Sequence, residues 1–200
     1  MRYGRLAALL FLISIVSCTD PAAAGGGGGV DPNTVTVNDP IGDTFGPAGV
    51  RWDLSAMTIT RDDAGITVVL DFATAPISPV TGDTDAMVAF VDFDTDQDST
   101  TGIQATADRF RQTPGSTGVG ADYQLAMTTY NADSMVKILD HEGVATGLVK
   151  PVFSGKRVTI RIPKAFLGND DGYLNAVAIV GRSIRPSDVV PENGAVSLKP

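Results

Sequence analysis

The sequence VAFVDFDTDQDSTTG, residues Val88–Gly102, decides both the fold and the chemistry expected of this chain. Its apolar start, Val88 to Phe93, is typical of a buried strand. Aspartates then occupy every second position: Asp92, Asp94, Asp96 and Asp98. Residues two apart in a strand share a face and lie about 6–7 Å from each other. Four carboxylates on one face repel unless water or a cation lies between them. We call this set the acidic ladder.

The ladder ends in Ser99–Gly102, a sequence that predicts a turn, so it runs from a strand into a loop. Oxygen-rich loops suit a hard cation, above all Ca²⁺. The helix–loop–helix calcium motif is excluded, because counting from Asp92 its required Gly and Glu are replaced by Gln97 and Ile103. The register from Asp94 fails in the same way. An ion at the ladder therefore needs ligands from elsewhere in the chain, and a solvated acidic loop remains the alternative.

The sequence of residues 1–18 is typical of a targeting segment. Arg2 and Arg5 precede an apolar run from Leu6 to Val16, which is too short to span a bilayer but suits a signal peptide. The run ends in Ile-Val-Ser-Cys, which resembles the bacterial lipobox and implies lipidation of Cys18. An ordinary secretory signal is the alternative. Cys18 is the only cysteine, so an intrachain disulfide is excluded.

Residues 19–33 predict a flexible tether, because three alanines run into five consecutive glycines. Residues 34–200 predict a single domain. The residue after the cysteine is Thr19, with Asp20 one place later, and this favours the outer membrane or the cell surface over retention at an inner membrane. The expected location is therefore the bacterial cell envelope, with a membrane contact through the lipid anchor.

The composition favours a β protein and an acidic surface. Of 23 acidic residues only Glu142 and Glu192 are glutamates, and aspartate favours turns over helix interiors. The formal charge of −8 disfavours nucleic acid as a partner and is compatible with cation binding.

Regularly spaced strand patterns predict an all-β fold. About nine strands separated by turn signals indicate a two-sheet antiparallel β-sandwich, jelly-roll-like, with at most one short helix, at Pro163–Leu167. The predicted strands are Thr34–Val37, Leu54–Thr60, Gly65–Phe72, Ala86–Phe93, Tyr123–Tyr130, Met135–Leu139, Val144–Val149, Arg157–Ile162 and Leu174–Val180.

Several short motifs occur in a recognisable order along the domain. They are NDPIGD at residues 38–43, WDL at 52–54, TG at 101–102, GADY at 120–123, and VTIRIP at 158–163 followed by FLG at 166–168. This order resembles the β-sandwich domains related to family 9 carbohydrate-binding modules and the DOMON-like group, over roughly residues 35–195. The resemblance implies two packed antiparallel sheets, often with bound Ca²⁺, on extracytoplasmic proteins that bind sugars, bind haem or serve as accessory domains.

The resemblance also suggests further ligands. Asp122 follows the long loop after the ladder and is expected to return to it. Asp39, Asp43 and Asp53 are candidates for a second metal corner, although Asp39 and Asp43 also suit plain turn formation beside Pro40 and Gly42.

The sequence offers few residues that suit sugar binding, haem binding or catalysis. Sugar-binding relatives clamp their ligand between aromatic rings, and Trp52 and Tyr123 are the candidates here. Haem or a catalytic triad would have to use His141, the only histidine, in a predicted turn. We therefore expect no enzyme activity.

Two functional classes remain open. The first is a lipid-anchored, non-catalytic binding module stabilised by Ca²⁺, with carbohydrate as the candidate ligand. The second is a structural or protein-interaction surface lipoprotein with no small-molecule ligand. An exposed aromatic pair would favour the first class, and an unpaired edge strand or a large apolar patch the second.

Overall fold

The computed structural model describes residues 31–46, 49, 51–183 and 185–200. The predicted signal segment, Cys18 and nearly all of the tether lie outside the described residues. The first strand begins at Thr34.

The described chain forms fourteen strands and one α-helix. In chain order the strands are β1 Thr34–Asn38, β2 Leu54–Asp62, β3 Gly65–Phe72, β4 Met87–Asp94, β5 Ile103–Gln104, β6 Gly120–Ala121, β7 Tyr123–Ala126, β8 Val136–Asp140, β9 Ala145–Val149, β10 Val152–Ser154, β11 Arg157–Pro163, β12 Leu174–Arg182, β13 Arg185–Val190 and β14 Val196–Leu198. The helix α1 is Thr106–Arg111, and 3₁₀ turns cover Pro79–Thr81, Met127–Thr129 and Lys164–Leu167.

The strands form two principal antiparallel sheets. One has five strands in the order β1-β2-β3-β11-β10. The other has seven, in the order β13-β12-β4-β7-β8-β9, with β14 also paired to β12. A small third pair joins β5 to β6. The predicted all-β sandwich is confirmed. Each predicted strand segment contains a strand, whereas β5, β6, β10, β13, β14 and the helix α1 were not predicted.

The core lies between the two large sheets and follows the alternation of the strand sequences. In β4 the fully buried residues Met87, Ala89, Val91 and Phe93 point into this core. Because neighbouring residues of a strand face opposite sides, Asp92 and Asp94 lie on the outer face of the seven-stranded sheet.

The segment between β4 and β7 covers that outer face and forms a second, smaller core. Ala107 of α1 and Val119 are buried there against Val177 and Ile179 of β12. This cover takes Asp92 out of the solvent although it lies on the outside of the sandwich.

The pairing of β12 with β13 shifts register between Val180 and Gly181. A Cβ atom on Gly181 would lie 2.2 Å from the carbonyl oxygen of Arg185. We expect Gly181→Ala to lower the free energy of unfolding by about 1–3 kcal/mol, since the backbone must move to admit the methyl group. Urea unfolding measures it. A Gly181→Ala variant that unfolds at the same urea concentration as the parent would contradict the packing argument.

Candidate metal site

Three carboxylates meet at the end of β4: Asp94 from the strand, Asp96 from the loop after it and Asp122 from the start of β7. One oxygen of each lies within 4.8 Å of the other two. Calcium binds oxygen at about 2.3–2.6 Å, so two ligands on opposite sides of the ion are about 5 Å apart. We call this group the acidic junction, and its spacing fits the coordination sphere of Ca²⁺.

The backbone brings the two halves of the junction together. Tyr123 pairs with Phe93 across β4 and β7, and the Asp122 N–H donates to the Phe93 carbonyl at 2.9 Å. The Asp122 Oδ2 atom then accepts from the Thr95 N–H at 2.9 Å and the Thr95 hydroxyl at 3.0 Å. The loop of residues 95–121 therefore leaves and rejoins the sheet at the same point.

Asp94 is the buried member of the junction, with none of its surface exposed. Its Oδ2 accepts from the Asn175 side-chain amide at 3.2 Å. Its Oδ1 is buried and has no hydrogen-bond partner among the described residues. Burial raises the pKa of Asp94, and the proximity of Asp96 and Asp122 raises it further. A buried carboxylate oxygen without a donor is a costly arrangement that a bound cation would relieve.

Asp96 is the exposed member and is held in place by its own turn. Its carboxylate accepts from the Thr101 hydroxyl at 2.9 and 3.1 Å and from the Asp98 N–H at 2.9 Å. The turn predicted at the end of the ladder thus positions this ligand.

The junction is also linked to the C-terminal strand. Asn175, which donates to Asp94, accepts from the Ser197 hydroxyl at 2.7 Å. Gln97 of the junction loop donates from its side-chain amide to the Leu198 carbonyl at 3.0 Å. These contacts tie β14 to the groups around the carboxylates.

The structure places Asp92 outside the junction. Asp92 lies under α1, only 1% exposed. Its carboxylate accepts from the Thr106 N–H, from the Thr106 hydroxyl at 3.2 Å and from the Gln124 side-chain amide at 2.7 Å. Burial raises its pKa. Since Thr106 is the first residue of α1 and Ala105 before it offers no capping side chain, Asp92 supplies the acceptor at the helix start.

Asp98 also lies apart from the junction. Its Oδ1 accepts from the Thr100 N–H at 2.9 Å and the Thr100 hydroxyl at 2.6 Å. These bonds lower the pKa of Asp98 and make it a turn-forming residue. Of the five predicted ligands, the structure brings together Asp94, Asp96 and Asp122.

A second group of carboxylates contains two of the three residues predicted for a second corner, together with a residue that the sequence reasoning missed. One oxygen each of Asp39, Asp43 and Asp188 lies within 4.8 Å of the others. Asp53 adjoins them, because its Oδ2 accepts from the Gly42 N–H at 2.9 Å. We call these four residues the acidic corner. In the sequence, Asp188 directly precedes two apolar residues, Val189 and Val190, which are followed by Pro191. A carboxylate beside an apolar pair is the one local feature that could have drawn attention to it.

Two carboxyl groups of the corner are strongly perturbed. Burial raises the pKa of Asp39 to about 7, and the neighbouring charges of Asp43, Glu192 and Asp53 add to the effect. Burial likewise raises the pKa of Asp188 to about 8, with further contributions from Asp39 and Asp43. Perturbed groups of this kind gather at functional sites and at ion sites.

The two aromatic candidates for sugar stacking differ in exposure. Trp52 is only 5% exposed, and its indole N–H donates to the Asp85 carbonyl at 3.1 Å. Tyr123 is half-buried against the main core. A stacking platform needs an exposed ring face, so the structure does not support a ligand-stacking role for Trp52. Among the described aromatic residues only Phe110 is exposed.

The remaining chemical candidates are placed as follows. His141 is an exposed turn residue between β8 and β9. Met57, Met87 and Met127, whose thioether sulfurs are a type of haem ligand, are buried in the core.

None of the known protein-family models matches this chain, and a search of curated proteins finds no match either. Within the part of the chain that the structure describes, no helix has the length and apolarity needed to cross a bilayer.

Proposed function

We propose that this protein is a non-catalytic, lipid-anchored domain of the bacterial cell envelope that is stabilised by Ca²⁺ at the acidic junction and presents its sandwich to a ligand outside the cell. One observation carries the calcium site. The Oδ1 atom of Asp94 is buried with no donor in the part of the chain that the structure describes, and it belongs to a group of carboxylates spaced for a single ion.

The position of the junction explains what the ion would do. β4 lies in the interior of the seven-stranded sheet, and the junction connects its end to the start of β7 across the long covering loop. An ion bound to Asp94, Asp96 and Asp122 closes that loop in the folded state. It therefore stabilises the cover over the outer face as well as the sheet.

The sequence supports the proposed location. A lipobox-like cysteine, a basic and apolar start and a glycine-rich spacer together describe a domain held off a membrane surface. Calcium sites with oxygen ligands suit extracellular modules of this kind.

Carbohydrate is the first candidate ligand, and it is supported by the resemblance to sugar-binding sandwiches. The second candidate, a structural or protein-interaction lipoprotein, is favoured by the outer edges of both sheets. β9 and β10 are edge strands, and Val144, Leu148 and Val152 at or beside them are exposed. Edge strands with apolar side chains are surfaces that other proteins can pair with.

Calcium is expected to stabilise the chelator-treated protein. An ion at a hundred times its dissociation constant adds about 2.7 kcal/mol to the free energy of unfolding, which raises the melting temperature by several degrees. Asp94→Ala with Asp96→Ala should remove one bound ion per chain and reduce the shift. Scanning calorimetry and calcium titration measure both effects. The matched control is Asp63→Ala with Asp133→Ala, two exposed carboxylates outside both acidic groups, and equal calcium binding in the two double variants would refute the junction site.

Binding to immobilised polysaccharides separates the two ligand classes. Calcium-loaded protein that is retained on a polysaccharide, and released by a soluble fragment of it, supports the carbohydrate class. If no polysaccharide retains it, the edge strands become the surface to test. Leu148→Lys with Val152→Lys would then be expected to abolish capture of envelope proteins, whereas Lys137→Glu, an exposed position on the interior strand β8, would not.

A further inference from the structure

The acidic corner joins both sheets of the sandwich. Asp39 follows β1 directly, Asp43 and Asp53 lie in the connection to β2, and Asp188 is inside β13 of the opposite sheet. The backbone is tied across the same place, since the Leu54 N–H donates to Asp188 Oδ2 at 2.6 Å. A ligand held here would join the connection between β1 and β2 to β13, two elements that belong to different sheets.

Among the described residues, two buried oxygens of the corner have no hydrogen-bond partner. They are the Oδ2 of Asp39, a residue that is 7% exposed, and the Oδ1 of Asp53. Asp188 is fully buried, and each of its oxygens already accepts a backbone N–H, from Leu54 and from Val189 at 2.9 Å. The described part of the chain thus buries these lone pairs of Asp39 and Asp53 without supplying a donor to them.

Neighbouring carboxylates increase the free-energy cost of burying Asp39 in its charged form. The neighbours that most affect Asp39 are Asp43, Glu192 and Asp53, all of them carboxylates. Burying several carboxylates together is unfavourable unless protons or a cation neutralise them. The corner shares no residue with the acidic junction.

We propose that the acidic corner is a second binding site for a hard divalent cation, with Ca²⁺ preferred over Mg²⁺, in which Asp39, Asp43 and Asp188 are ligands and Asp53 completes the set. One oxygen each of Asp39, Asp43 and Asp188 lies within 4.8 Å of the other two, as around one calcium ion, and Asp53 lies beside this group. Mg²⁺ keeps several waters and binds one or two carboxylates, so a partly buried group of this size suits the larger ion. The bound ion clamps the connection between β1 and β2 onto β13. This site is independent of the proposed junction site and of the domain's ligand.

The variant Asp39→Asn with Asp43→Asn distinguishes an ion from shared protons. It changes little in shape, and Asp43 is exposed, so folding is preserved. In chelator at neutral pH the variant is expected to melt higher than the parent, because an amide at position 39 can be buried without taking up a proton or a cation. In excess Ca²⁺ its melting temperature is expected to rise by less than the parent's, because one ion is lost. If Ca²⁺ raises both melting temperatures equally, and both bind the same number of ions, the corner holds protons and the proposal is wrong.

Terbium luminescence locates the ion independently of stability. Trp52 is the only tryptophan and directly precedes Asp53, and its backbone N–H donates to the hydroxyl of Ser187, the residue before Asp188, at 2.9 Å. Tb³⁺ at the corner should therefore emit when tryptophan alone is excited. In Asp39→Asn with Asp43→Asn, the apparent affinity for Tb³⁺ obtained from this luminescence should fall at least about tenfold, since two charged ligands are lost.

The same signal should persist in the junction variant Asp94→Ala with Asp96→Ala and in the surface control Asp133→Asn. Loss of the signal only in the junction variant would overturn the corner site and leave the junction site standing. Loss only in the corner variant, combined with unchanged calcium binding in the junction variant, would support the corner and refute the junction.

Discussion

With divalent ions removed by a chelator, the protein is expected to lose stability as the pH rises from about 5 to about 8, the window set by two buried carboxyl groups. Asp39 and Asp188 have folded-state pKa values of about 7 and about 8, raised from 3.8 mainly by burial and then by carboxylates that include Asp43. Across this window the folded state holds protons that the unfolded state has released. The free energy of unfolding therefore falls with rising pH, by up to about 1.4 kcal/mol per pH unit for each group.

Urea unfolding at a series of pH values measures this slope. Asp39→Asn is expected to flatten it, because one of the two proton-binding groups is gone. Saturating Ca²⁺ is also expected to flatten it, since bound calcium replaces the protons. Stability that rises with pH in chelator would contradict the assignment, because it would mean that lowered carboxyl pKa values dominate.

The second large effect is expected at Asp92, and it arises from hydrogen bonding. Asp92→Ala removes the acceptor for the Thr106 N–H at the start of α1 and for the Gln124 amide. Each buried donor left without a partner costs about 1–3 kcal/mol. We expect a total loss of roughly 2–5 kcal/mol, reduced somewhat because a buried carboxylate is also removed.

Asp92→Asn is the informative companion to this variant. It keeps one acceptor oxygen and the shape of the side chain, so it should lose less stability than the alanine variant. Hydrogen exchange of the α1 amides provides a local readout, with faster exchange expected in Asp92→Ala. If both variants were as stable as the parent, Asp92 would not be what holds the helix on the sheet.

Residue patterns predicted the main strands because those strands alternate regularly. β3 was predicted with its observed bounds, Gly65–Phe72, since its β-branched residues alternate between core and surface. β13 was missed because Arg185, Pro186 and Asp188 are poor strand formers and only pairing with β12 makes that segment a strand. α1 was missed because it lacks a local capping residue and relies on Asp92 from a distant strand.

The two acidic groups show the same division between local and long-range information. Asp94 and Asp96 were predicted from their spacing, but spacing could not show that Asp92 turns under α1 and that Asp98 closes its own turn. Asp122 was suggested by resemblance. Asp188 lies more than a hundred residues from Asp39 and joins it only through the packing of β13, so the sequence alone carried no spacing that could reveal the pair.

The contact between β14 and the acidic junction gives the last few residues an unexpected role. Ser197 reaches the Asp94 carboxylate through the single side chain of Asn175, and Gln97 separately donates to the Leu198 carbonyl. A fluorophore attached at Pro200 would therefore report on the state of the junction without touching its ligands. A bulky C-terminal fusion would, by the same contacts, perturb the environment of Asp94, so the N-terminal side is the better place for a label that must leave the ion chemistry unchanged.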